Sequence, residues 1–227
     1  KVEIIIENVK AHYVAQNNEQ ELKSLESKNL GCTGSSGGVT EYNTPSNWNL
    51  GSMGGYFTYA EVMAHLDNMA ALYPSLITTK APIGSFQTFE SRPIYWLRMS
   101  DNASVDEAEP EMLYSAIHHA REPACLSQLI FYMWYLLENY GSDPEVTAIL
   151  DNTELYFVPL LNPDGYVYNE VNDPSGGGMW RKNRRNHGSG YFGVDNNRNY
   201  SYEWGTTGIS GDVWADNYPG TAAFTEA

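Results

Sequence analysis

The 227-residue chain is 42% hydrophobic, enough for a substantial apolar core, which excludes a disordered polypeptide. Thirteen lysines and arginines against twenty-eight aspartates and glutamates leave a net charge of −15, so long-range repulsion excludes nucleic acid and anionic lipid surfaces as partners. The longest strongly apolar run, residues 126–137, contains Ser127 and Gln128 and is far shorter than the roughly 20 residues of a membrane span, and the two cysteines, Cys32 and Cys125, make at most one bridge.

Residues 1–9 (Lys1, Val2, Glu3, Ile4, Ile5, Ile6, Glu7, Asn8, Val9) have the apolar run of a short strand, with neither an initiator methionine nor a signal-peptide pattern. The expectation is that the numbering begins inside a longer precursor. Residues 1–28, charged from Gln16 to Lys28, form a first unit. Residues 29–55, dense in Gly, Ser, Thr and Asn and without either apolar period, form a linker or extended arm. The remainder, 56–227, alternates helix and strand. Thr58 and Glu61 make a capping box, and Val62, Met63, Leu66, Met69 and Leu72 recur at helical spacing until Tyr73-Pro74. Residues 94–99, 112–117 and 155–160 are rich in β-formers and predict three buried strands. Residues 123–140 are apolar nearly all round, with Pro123 in the first turn and Gly141 just past the end, and predict a buried helix. This order implies an α/β fold whose sheet is covered on both faces. Apart from Gly176, Gly177 and Gly178 there is no low-complexity tract, and residues 211–225 look like loop.

Chemistry is concentrated after the second strand. His118-His119-Ala120-Arg121-Glu122-Pro123 sets an imidazole and a carboxylate three residues apart, between strand and helix, where α/β folds build their sites. His119 and Glu122 have metal-ligand spacing, and their donor atoms suit Zn²⁺. The same spacing also fits a simple helix-start pair in which Glu122 favours the helix dipole. Asn162-Pro163-Asp164-Gly165 follows the third strand as a turn. Five basic residues, Arg181, Lys182, Arg184, Arg185 and Arg198, gather in a strongly acidic protein. Arginine forks match carboxylates, so an anionic ligand is one explanation and neutralisation of acidic neighbours is the other.

These segments together resemble the M14 family of zinc carboxypeptidases. The motifs that carry the resemblance are Tyr56-x-Thr58, Ile83-Gly84-Ser85, Glu90-Ser91-Arg92-Pro93-Ile94, Ile117-His118-His119-Ala120-Arg121-Glu122, Asn162-Pro163-Asp164-Gly165, Trp180-Arg181-Lys182 and Asp195-x-Asn197-Arg198-Asn199. The resemblance implies a mixed, largely parallel central β-sheet with helices on both faces, preceded by an extended N-terminal arm. It implies that His119 and Glu122 are zinc ligands, that Arg121 lines a substrate subsite, and that Asn197 and Arg198 grip the C-terminal carboxylate of a peptide. Arg181 would polarise the scissile carbonyl and stabilise its oxyanion. His118 has no implied role beyond ending the strand and standing near the ligands. The implied protein is a secreted zymogen, in which residues 1–28 are the tail of a pro-segment and 56–227 the N-terminal portion of the catalytic domain. Its reaction is zinc-dependent hydrolysis of the C-terminal peptide bond of peptides and proteins.

The family pattern also has a third ligand, a histidine, and a glutamate general base beyond the Asn-Arg-Asn motif, and neither is found here. His12, His65 and His187 are poorly placed as substitutes, Glu226 is not the base, and the expectation is that the native protein continues past Ala227. Two other functions fit part of the pattern: a metal-free binder of peptide C-termini, and a zinc deacylase or peptidoglycan amidase on the same fold. The retained Asn-Arg-Asn and Trp-Arg-Lys motifs favour peptide C-termini.

Overall fold

The computed structural model describes residues 42–226 and the single helical residue Ala15. The strand expected at residues 1–9, the charged stretch 16–28, the first part of the linker, His12 and Cys32 lie outside the described residues. Helix α1 (Tyr59–Leu72) begins at the expected cap: Thr58 accepts from the Glu61 amide, and the Glu61 carboxylate accepts from the Thr58 amide at 2.7 Å. Then follow β1 (Ala81–Pro82), β2 (Tyr95–Met99), β3 (Glu111–Ser115), α2 (Pro123–Asn139), α3 (Pro144–Leu150) and β4 (Glu154–Val158). Helix α4 (Pro163–Asn172), the hairpin β5 (Asn186–Gly188) and β6 (Tyr191–Phe192), and a 3₁₀ turn (Asn196–Arg198) complete the order.

The main sheet runs β1-β2-β4-β3. Leu97 lies opposite Phe157 in the antiparallel β2–β4 pair, and Tyr114 opposite Phe157 in the parallel β3–β4 pair. The sheet is mixed, but among the described residues only this last pairing is parallel. The reason is connectivity: β3 reaches β4 through α2 and α3, the helical crossover that parallel neighbours require. One face carries Leu97, Met99, Leu155 and Phe157, all buried, with Tyr114 stacked on Phe157 at 5.3 Å and Tyr132 of α2 tilted over both rings. Met69 of α1 and Ile130, Met133 and Trp134 of α2 continue the same core. On the other face Arg98, nearly buried, donates to the Ala103 carbonyl and pairs with Glu154 at 3.2 Å, pinning the 100–110 loop. Burial would raise the Glu154 carboxyl, but bonds from the Glu107 amide and the Tyr156 hydroxyl and the charge of Arg98 hold it below the usual range.

Two expectations change. The second strand is not wholly buried: Met112 is 50% and Leu113 67% exposed, because β3 pairs only with β4 among the described residues and forms the edge of the sheet. The turn at Asn162-Pro163-Asp164-Gly165 is the start of α4, with the Asn162 side chain accepting from the Gly165 amide.

Residues 42–55 lie along α2. Trp48 packs edge-on against Phe57 and Phe131, and Tyr42 against Tyr135. Glu138 fastens this stretch by accepting from the Ser46 amide (2.6 Å) and hydroxyl (2.9 Å) and from the Asn47 amide (2.8 Å) and side chain (2.9 Å). Burial pushes the Glu138 carboxyl up, but these four donors outweigh it and hold it below the ordinary 4.5. A carboxyl whose folded pKa is depressed stabilises above its unfolded value, and that stabilisation is lost as pH falls through the folded one. Limited proteolysis of residues 42–50 is therefore expected to accelerate below about pH 4.5. In Glu138→Gln the cuts should appear already at neutral pH; a wild-type cleavage rate independent of pH would refute the anchor.

Candidate functional site

β3 ends at Ser115, and the chain then makes a constrained reversal. Ile117 is buried with φ 57°, a left-handed conformation that is unfavourable for a β-branched residue, and its amide donates to Cys125 Sγ at 3.4 Å. Cys125 has a free thiol, which donates to the Glu122 carbonyl. Helix α2 then starts at Pro123 with Glu122 as the preceding cap residue, but the Glu122 side chain makes no capping bond. It turns instead to His119, with Oε1 2.9 Å from Nδ1. This i,i+3 contact at the helix start is common to the metal-ligand reading and the helix-start reading.

His119 is 8% exposed and its Nε2 is a buried polar atom without a hydrogen-bond partner. Asp195 Oδ1 lies 3.3 Å from it, within ion-pair range but out of line for a hydrogen bond. Asp195 is fully buried and accepts from Arg181 Nε (3.0 Å) and Nη2 (2.8 Å) and from the Asn197 amide (3.0 Å). Arg181 Nη1 has no protein partner among the described residues. Imidazole nitrogen and carboxylate oxygen, already 2.9 Å apart with a carboxylate behind the ring, fit two positions of a zinc site. No third His, Cys, Asp or Glu among the described residues joins them. The one three-donor group described, Asp106, Glu111 and Glu154, sits at the opposite end of β3, where Arg98 pairs with Glu154.

The same folding joins three of the sequence-predicted residues, His119, Arg181 and Asn197, through Asp195. Ala120 donates to the Arg181 carbonyl at 3.0 Å, tying the His119 loop to the Trp180 segment. Gly165 lies between them: an added Cβ would sit 2.4 Å from the Lys182 carbonyl oxygen and 2.9 Å from Ala120 Cβ, so only glycine permits this approach. Arg121 pairs with Asp216 at 2.7 Å. Arg198 donates to the carbonyls of Gly208 (3.0 Å) and Asn197 (2.9 Å), and the Asn197 side chain is exposed. His118 contacts the Tyr200 hydroxyl at 2.9 Å, and burial is the main influence lowering its pKa.

The alternatives left open for the basic cluster both have a place here. Arg181 pairs with Asp195, Arg184 with Glu90 and Arg185 with Glu226, and buried Lys182 donates to the Val213 carbonyl. Among the described residues Arg198 is the one arginine of this cluster with no carboxylate partner. The remaining histidines do other work: His65 accepts from Trp134 Nε1 at 3.0 Å, and His187 packs on Tyr218. Glu226 is held by Asn183 and Arg185. Sequence reasoning gave no separate role to Asp195, although its place in Asp-x-Asn-Arg was the available signal.

Fold and site together define an α/β protein with a candidate hydrolytic metal centre. A family model described as zinc carboxypeptidase matches residues 62–227, and the chain belongs to that family. It is 33% identical over 182 residues to carboxypeptidase A2 of Mus musculus, covering 80% of this chain and 40% of that protein. It is 31% identical over 156 residues to a zinc carboxypeptidase of Saccharothrix mutabilis subsp. capreolus, covering 68% of this chain and 34% of that protein. Among solved structures, carboxypeptidase A of Helicoverpa armigera superposes with a TM-score of 0.65 at 28% identity, over 91% of this chain and 47% of the other. The chain thus spans less than half the length of these relatives. No helix of the described residues is long and apolar enough to cross a membrane.

Because Asp195 compensates Arg181 at depth, Asp195→Ala is expected to destabilise the protein by about 3–5 kcal/mol in urea denaturation. A loss below about 1 kcal/mol would show that the pair is not a structural centre.

Proposed function

We propose that the protein is a zinc metallocarboxypeptidase that hydrolyses the C-terminal bond of peptides and proteins, and that residues 56–227 are the N-terminal portion of its catalytic domain. The observation that carries this reading is the convergence of His119 Nδ1 and Glu122 Oε1 at 2.9 Å, backed by the buried Asp195 that also fixes Arg181. His119 and Glu122 would hold zinc, with a third ligand and a general base from the part of the family's length that this chain does not span. When bound, zinc polarises a carbonyl and lowers the pKa of water to about 7.

The residues present divide the remaining tasks. Arg181, immobilised through Nε and Nη2, keeps Nη1 for the scissile carbonyl oxygen and the charge that develops on it. Arg198, free of any carboxylate among the described residues, takes the terminal carboxylate together with the exposed Asn197 side chain. Selectivity for chain ends follows, because a peptide without that carboxylate leaves the guanidinium unpaired in a closed site. Arg121 lies toward the amino side of the substrate. Under this reading residues 1–28 are the tail of a pro-segment and 29–55 its connecting arm, in a secreted zymogen.

Arg198→Ala is expected to lower kcat/KM for an acyl-dipeptide by about a hundredfold or more, equivalent to about 3 kcal/mol, with an unchanged far-UV circular dichroism spectrum. Wild-type turnover in that variant would refute the assignment. Hydrolysis of N-acyl amino acids in preference to acyl-dipeptides would point to the deacylase, and peptide capture without zinc to the binding module.

A further inference from the structure

Among the described residues the guanidinium of Arg198 is held by two backbone carbonyls, and one of them comes from ten residues further along the chain. Nε donates to the Gly208 carbonyl at 3.0 Å, and Nη1 to the Asn197 carbonyl at 2.9 Å. Nη2 has no acceptor among the described residues. A guanidinium can meet a carboxylate through the fork on its Nε side or through the Nη1 and Nη2 fork at its end. The Gly208 carbonyl closes the first of these. The end fork, with both hydrogens of Nη2 and one of Nη1 unspent, is what an incoming carboxylate finds.

No helix or strand places the Gly208 carbonyl there. Gly208 lies in the irregular stretch after the 3₁₀ turn with φ 67°, a left-handed conformation that glycine adopts without strain. Its oxygen has a second donor, Asn217 Nδ2, also at 3.0 Å. With Arg198 on one lone pair and Asn217 on the other, both acceptor positions are filled and the direction of the carbonyl is fixed. The Asn217 carbonyl accepts from the Ser210 amide at 3.4 Å, a second tie across the same loop. The loop is fastened at its base as well. Tyr218, the next residue, accepts from the buried Asp195 amide at 2.9 Å, and buried Lys182 donates to the Val213 carbonyl at 2.7 Å. Asn217 therefore joins Arg198 to the stretch held by Asp195, the carboxylate that also fixes Arg181. It belongs to none of the motifs that carry the family resemblance.

We infer that Asn217 is a positioning residue for recognition of the substrate's terminal carboxylate: it holds the Gly208 carbonyl against Arg198 Nε, so that the guanidinium presents its end fork already oriented. The inference rests on the carboxypeptidase reading and adds a residue that acts through Arg198 without touching substrate. An arginine has many rotamers, and a carboxylate that meets an unheld one must first restrict it. The test uses the zinc-loaded full-length protein and two substrates, an acyl-dipeptide with a free terminal carboxylate and its terminal amide. In Asn217→Ala, KM for the carboxylate substrate is expected to rise about five- to tenfold, the loss of one neutral hydrogen bond, while kcat changes by less than about twofold. The preference for carboxylate over amide in kcat/KM is expected to fall by the same factor. Asn217→Asp keeps the side chain's shape without the donor; it is expected to behave as Asn217→Ala does and replaces it should that variant not fold. Asn217→Gln keeps the donor and is expected to recover most of the loss. The Kd of an analogue with a reduced scissile amide should follow KM in each variant. An unchanged KM in the variants without a donor, or a loss of kcat/KM that is equal for the two substrates, overturns the positioning role and leaves the carboxypeptidase reading standing. A wild-type protein that shows no cleavage, or no preference for the free carboxylate, overturns the role of Arg198 and this inference with it.

Discussion

The centre of this structure depends on one buried carboxylate. Asp195 is fully buried, and a charge at that depth persists only when it is paired and hydrogen-bonded. Its partners belong to different parts of the chain: His119 follows β3, Arg181 lies after α4, and the Asn197 amide belongs to the 3₁₀ turn. The Asp195 amide donates in turn to the Tyr218 carbonyl at 2.9 Å. Satisfying this single group therefore fixes the relative positions of four segments, and among them the groups that meet substrate in the proposed reaction.

Around that carboxylate, residues 176–226 have little regular structure, so their backbone polar groups need other partners. Buried asparagines provide them. Asn183 accepts from the Val194 amide at 2.8 Å and donates to Glu226 at 2.8 Å. Asn199 donates to the Pro219 and Ala222 carbonyls and accepts from the Glu226 amide. Arg184 is enclosed by Tyr168, Trp180 and Phe192, with its guanidinium 3.9–4.7 Å from the ring centroids. Such a cation is a packing element and supports the Trp180 segment. Most of the local positive charge is in this way internal, and Arg198 stands apart through its lack of a carboxylate partner among the described residues.

The elements legible in the sequence are those whose physics is local. α1 and its capping box follow from Thr58, Glu61 and a 3.6-residue apolar period, and α2 from a long apolar run between Pro123 and Gly141. α3 and α4 were not anticipated, although Asp143-Pro144 and Asn162-Pro163 are sound helix starts. The first is a seven-residue helix and the second buries few apolar side chains, so neither has a period to detect. The exposure of Met112 and Leu113 was invisible for a related reason, since an apolar run does not say how many neighbours a strand has.

The sequence by itself determined the residue types: a histidine and a carboxylate three apart, an arginine cluster in an acidic chain, and an ordered set of motifs that identify the family. Spacing along a strand or helix is a short-range property, and sequence carries it directly. Only the tertiary structure decided which of these groups meet. It turned Glu122 toward His119, placed Asp195 between His119 and Arg181, left Arg198 without a carboxylate partner among the described residues, and opened a cavity beside three glycines. Each of these outcomes depends on contacts between residues tens of positions apart, where burial and polar satisfaction decide the pairing and local propensity is silent.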